Sequence, residues 1–160
     1  MKDIGYVNVF VASSINEFHK ERMELGAFVQ QMNAQMLKQG KYTKLHLCED
    51  MSDAIAADKK RKQEEYNEAI RRSQIFILLV DRQIGEYTME EFAVADKKYC
   101  ETGNPHICVF FKKCPEAVQT DALKKFMELL DSKQYGYDVF ETMDFVKQKL
   151  EEKILEAFGA

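Results

Sequence analysis

Apolar positions along the chain alternate between two spacings. Short runs rich in β-branched residues give way, again and again, to longer stretches in which apolar residues recur every three or four positions. The first spacing marks buried strands and the second amphipathic helices. Tyr6–Ala12 (YVNVFVA) reads as a strand, and Glu17–Gln39 as a helix whose stripe is Phe18, Leu25, Phe28, Val29, Met32 and Met36. Lys44–Cys48 is a second strand and Asp58–Arg72 a second helix, with Tyr66, Ala69 and Ile70 facing inward. Ile75–Val80 is the third strand. The helix after it covers Met89–Cys100 and is closed by Thr102-Gly103-Asn104-Pro105, which supplies a left-handed stop and a breaker. His106–Phe111, Thr120–Leu130, Tyr137–Phe140 and Asp144–Phe158 complete the alternation. Glu49–Asp58 fits either a loop or a short extra helix.

Five strand-then-helix units predict a parallel sheet with helices on both faces. The order expected for five such units is 2-1-3-4-5, a flavodoxin-like α/β fold whose switch point lies between the first and third strands. At 160 residues, 46% of them hydrophobic, the chain is long enough for one domain with a substantial core. It shows no internal repeat and no linker, so residues 1–160 read as a single domain, an effector module if the native protein is longer.

A formal net charge of −4 gives no electrostatic case for nucleic acid or an anionic membrane as partner. No apolar run approaches the roughly 18–20 residues that span a bilayer, and MKDIGYVNVFVAS enters a strand pattern directly. Cys48, Cys100, Cys108 and Cys114 have no CxxC spacing, and they read as reduced thiols of a cytoplasmic protein. His46 and Cys48 share one strand face, but two ligands do not make a tetrahedral metal site, and no metal is expected.

Candidate chemistry gathers where the topology opens. The loops Ala12-Ser13-Ser14-Ile15-Asn16 and Asp81–Thr88 enter one crevice, and each leads into a helix N-terminus that favours anions such as a pyrophosphate. A nucleotide is therefore a natural ligand. Ser14-x-x-Glu17 and Thr88-x-x-Glu91 both match the capping box, so Glu91 reads either as a cap or as a functional acid. Asp81 stands where a response regulator carries its phosphoacceptor. Ser13 and Ser14, however, replace the acid pair that would hold Mg²⁺ there. Gly85 is isolated, so no phosphate-binding glycine loop exists, and His19, His46 and His106 form no catalytic set. The run Asp58-Lys59-Lys60-Arg61-Lys62 is a local basic patch, read as a solvated face or an anion or subunit contact.

From Val7 to Phe111 the chain resembles a Toll/interleukin receptor (TIR) domain of the bacterial type. VNVFVASS, AIRRSQIFILLV and YTMEEFAVADKKYCETGNPHICVFF carry the resemblance. Matching Glu91-Phe92-Ala93-Val94-Ala95 to the family's glutamate-bearing helix places its catalytic acid at Glu91 and not at Glu90. The same segment is similar to nucleoside deoxyribosyltransferases, which also break an N-glycosidic bond. The chain departs from many TIR domains in lacking a tryptophan before the glutamate and an aspartate after Ser13-Ser14.

The resemblance implies an NAD⁺ glycohydrolase or cyclase that cleaves the nicotinamide–ribose bond in signalling or antiphage defence. Glu91 would be catalytic, with Ser13 and Ser14 at phosphate or ribose, Tyr87 stacking on a ring, Asp81 as a further binding residue, and no cofactor beyond NAD⁺ as substrate. Self-association through TIR-like contacts is implied as well. The alternatives are a TIR-like interaction module without turnover and a nucleoside 2-deoxyribosyltransferase-like enzyme.

Overall fold

The computed structural model describes residues 3–13, 18–47, 56–82, 84–115 and 118–159, with side chains of the second helix described from residue 62 onward. The elements run β1 (Gly5–Ser13), α1 (His19–Met36), β2 (Lys41–Leu47), α2 (Ala56–Arg71), β3 (Ile75–Val80), α3 (Glu86–Thr102), β4 (His106–Lys112), α4 (Asp121–Ser132), β5 (Tyr137–Phe140) and α5 (Met143–Ala157). Every strand pair is parallel, and the sheet order is β2-β1-β3-β4-β5, as the alternation of elements predicts.

The period-2 alternation of β1 divides the core. Val7, Val9 and Val11 pack with Leu25 and Val29 of α1 and with Val146, Leu150 and Ile154 of α5. Phe10 and Ala12 pack on the other face with Ile70 of α2, Phe92 and Ala95 of α3, and Leu123, Phe126 and Leu130 of α4. All six residues of β3 are buried, because a central parallel strand is covered on both faces. Each fully buried Leu, Ile, Val or Phe contributes roughly 1.5–3 kcal/mol over an exposed one, so these two clusters carry the domain.

Most element boundaries fall within three residues of the pattern. Helix α1 passes into a 3-10 turn, Leu37–Gln39, that Gly40 ends in the left-handed conformation at φ 72°. Strand β2 starts at Lys41, three residues before the expected start, and its exposed Lys44 is part of an edge strand. Of the undecided stretch after β2, residues 49–55 lie outside the described residues, as does Cys48, the expected end of β2, and α2 begins at Ala56.

The consequential difference is at α3. Its N-cap is Gly85, extended at φ −83° and ψ 166°, whose carbonyl accepts the Met89 N–H at 3.0 Å. The helix therefore starts at Glu86, three residues before the expected Met89. Thr88 is already inside its first turn, and Glu91 lies in the second. The capping box expected at Thr88 and Glu91 does not form, because a capping glutamate must be the third residue of its helix. At α1 the N-cap is Phe18, with no capping side chain. Ser14 and Glu17, the other expected box, lie outside the described residues.

Candidate functional site

Helices that follow parallel strands all begin at the carboxyl edge of the sheet, and β1 and β3 are neighbours there, with Ser13 opposite Leu79. That edge receives polar residues from both layers. Ser13 ends β1 on the α1 face and is 2% exposed, and Arg22 of α1, 5% exposed, donates from Nη1 to the Ser13 hydroxyl oxygen at 2.8 Å. Glu91 enters from the α3 layer and is 3% exposed. Its neighbour Glu90 is exposed, so the tandem acid divides into one buried and one solvated carboxylate.

A buried carboxylate must be held by polar partners, since an uncompensated charge in an apolar interior is costly. With the capping explanation removed, helix mechanics alone does not account for an ionisable group at this position. Thr88, one turn earlier on α3, is buried beside it in sequence order. Tyr87 is 45% exposed in the first turn of α3, and its ring is open to contact. Asp81 directly follows β3 and is half-buried. Ser13, Asp81, Tyr87 and Glu91 thus share one edge, while Ser14 is outside the described residues. The side chains of Lys59, Lys60 and Arg61 are also outside them, and Lys62 is half-buried on α2.

Helix α2 is tied to α3 by a polar chain with a fixed direction. The Glu90 carboxylate accepts from Asn67 Nδ2 at 3.3 Å, and Asn67 Oδ1 accepts from Gln63 Nε2 at 3.0 Å. An ionised carboxylate can only accept, so it orients Asn67, and Asn67 in turn orients Gln63. Among the described residues no donor reaches the buried Gln63 carbonyl oxygen.

Arg22 was not among the residues expected from sequence, yet a signal for it exists. Phe18, Leu25, Val29 and Met36 leave gaps in the α1 stripe that Arg22 and Asn33 fill at spacings of three and four, and both are buried. Asn33 uses its amide to hold β2, accepting from the Thr43 N–H at 2.8 Å and donating to the Thr43 carbonyl at 2.9 Å. A polar residue in phase with an apolar stripe is buried with a partner. Among the described residues no group of three or more His, Cys, Asp or Glu side chains is gathered to hold a metal.

The chain is similar in structure to the SEFIR domain of the interleukin-17 receptor B, with a TM-score of 0.51 and 11% identity, over 93% of this chain and 97% of that one. The fold is TIR-like. At this identity the likeness concerns the fold alone, and it does not extend to the bacterial type or to the deoxyribosyltransferases. No protein-family model and no curated protein matches the chain.

Proposed function

We propose that the domain cleaves the N-glycosidic bond between nicotinamide and ribose in NAD⁺, with Glu91 as the catalytic acid residue in its ionised form. The observation that carries this reading is a buried carboxylate in the second turn of α3, at the edge where open α/β sheets bind ligands. Nicotinamide leaves as a neutral molecule with the bonding pair, and positive charge develops on the ribose. A fixed carboxylate in a dry site stabilises that oxocarbenium-like centre far more than one in water. Water then adds at the anomeric carbon and loses a proton, giving ADP-ribose; attack by an atom of the adenine instead gives a cyclic product. In this reading Ser13 and Ser14 contact phosphate or ribose, Asp81 is a further binding residue, and Tyr87 stacks on the base or the nicotinamide. No other cofactor enters the step.

The test is nicotinamide release from NAD⁺, followed by chromatography at high protein concentration. Glu91→Gln should reduce release by about 10²-fold or more, because glutamine keeps the shape and loses the charge. Glu90→Gln should leave it within about twofold, since substitution of an exposed side chain usually changes energies by no more than about 0.5 kcal/mol. Wild-type turnover by Glu91→Gln, or no release by the native chain, would sink the catalytic reading.

The likeness to a receptor's domain favours one second reading, a TIR-like module that acts by protein association without turnover. It predicts no nicotinamide release under any condition, together with concentration-dependent self-association.

A further inference from the structure

Strand β5 is four residues long and pairs with β4 only from Val109 onward. The first three residues of β4, His106 to Cys108, therefore have β3 on one side and, among the described residues, no strand on the other. Helix α3 flanks that gap on one face of the sheet and α5 on the other. The result is a slot of about 370 Å³ at the amino edge, the edge opposite Glu91. Its size is within the range of small-molecule sites, roughly 300–1,000 Å³.

The walls are built and fixed. Tyr135 lines the slot and donates its hydroxyl to Asp96 Oδ1 at 2.6 Å, while Lys133 Nζ lies 2.8 Å from the other Asp96 oxygen. This pins the loop before β5 to α3. Tyr99 of α3 packs edge-on against Tyr135 at 5.9 Å between ring centroids and lines the same space. From α5, Lys149 and Lys153 reach in, one helical turn apart and so side by side. Lys153 also borders an adjoining cavity of about 250 Å³ together with His106 and Glu156. Its ion pair with Glu156 is long, 3.5 Å, and the Glu156 side chain is mostly exposed. Such a pair is weak and readily exchanged for a ligand anion. Asp138 supplies an acceptor suited to hydroxyl groups. Burial pushes the Cys108 thiol up to about 11, so at neutral pH it is a protonated, non-nucleophilic part of the wall.

We infer that this slot is a second ligand site, separate from the one proposed at the carboxyl edge, for a small anion bearing an aromatic ring, of the class of a nucleoside monophosphate. Its phosphate sits between Lys149 and Lys153, its ring against Tyr99 and Tyr135, and a sugar hydroxyl donates to Asp138. Two lysines line this slot on a chain whose net charge is −4, which supplies the cationic groups an anion needs there. A bare phosphate satisfies the lysines but leaves the tyrosine walls unfilled.

The test is calorimetric titration of the intact chain with nucleoside monophosphates, the corresponding nucleosides and inorganic phosphate. A monophosphate should bind saturably, and the nucleoside and phosphate each at least about tenfold more weakly. K149A/K153A should weaken monophosphate binding at least about tenfold with an unchanged melting temperature, whereas Lys147→Ala, on the part of α5 that faces Glu24, should not. Tyr99→Ala should weaken the monophosphate and leave phosphate unaffected. Glu91→Gln keeps this binding whether or not the chain releases nicotinamide, which separates the two readings. Absence of saturable binding, full affinity in K149A/K153A, loss in Glu91→Gln, or phosphate binding as tightly as the monophosphate would overturn the inference.

Discussion

The bond from Arg22 to Ser13 shows how one side chain sets the end of a strand. A guanidinium taken out of water needs acceptors, and removing one leaves an unsatisfied buried donor at about 1–3 kcal/mol. Ser13→Ala should therefore destabilise the domain by about that amount, measured by urea unfolding, although serine to alanine deletes a single oxygen. Ser13→Thr, which keeps the hydroxyl, should recover part of the loss; equal loss in both would show that the oxygen is not what matters. Reading the α1 stripe as purely apolar hides Arg22, because periodicity finds which positions face inward and does not find which polar residues have partners there. Glu91 posed the converse difficulty. Its spacing from Thr88 satisfies the capping rule, and only the backbone of Gly85, which starts the helix early, removes that explanation.

At the scale of elements, the loops are held by caps and clamps that short-range sequence partly displays. Thr120 caps α4, its hydroxyl oxygen accepting the Leu123 N–H at 3.1 Å, and its backbone N–H donates to the Arg82 carbonyl at 3.1 Å, next to Asp81. Thr120→Ala should cost about 1 kcal/mol, read as a lowered urea midpoint, and a loss below a few tenths would show that the cap is idle. The clamp at Asp96 makes a pH prediction. Burial works against its carboxylate, but hydrogen bonds from Lys133 and Tyr135 and the Lys133 charge outweigh that and hold its pKa below the ordinary value. A carboxylate with a lowered folded pKa contributes stability above its unfolded value of about 3.9 and loses it as pH falls through the folded one. Asp96→Asn should therefore be less stable than the native chain at pH 7, with the difference shrinking in acid below about pH 4. A constant difference across that range would contradict the clamp. The Asp96 to Tyr135 pairing joins α3 to a loop 39 residues later, and no local pattern announces it. Strand identity, helix identity and sheet order were legible because burial on two faces dictates composition over several residues. Positions that depend on a single distant partner were not.

At the scale of the molecule, the opposite edges of the sheet differ in character: a buried acid with a serine–arginine pair at one, a lysine-lined slot at the other. If TIR-like contacts complete the carboxyl-edge site, specific activity should rise with protein concentration. A hundredfold dilution spans about 2.7 kcal/mol of association, and constant activity across it would exclude assembly as a requirement. The sheet order has another consequence, concerning the order of events during synthesis. Strand β1 is made before the other strands of this sheet, yet it sits inside it, and its Asn8 N–H is bonded to a side chain 66 residues further on, that of Gln74. At about 5–20 residues per second, a ribosome leaves one flank of that hydrophobic strand without its partner for several seconds. A nascent chain halted before β3 emerges exposes Val9, Phe10 and Val11 to any passing strand, so fragments ending before Ile75 should aggregate or engage chaperones, and those that include Val80 should do so less.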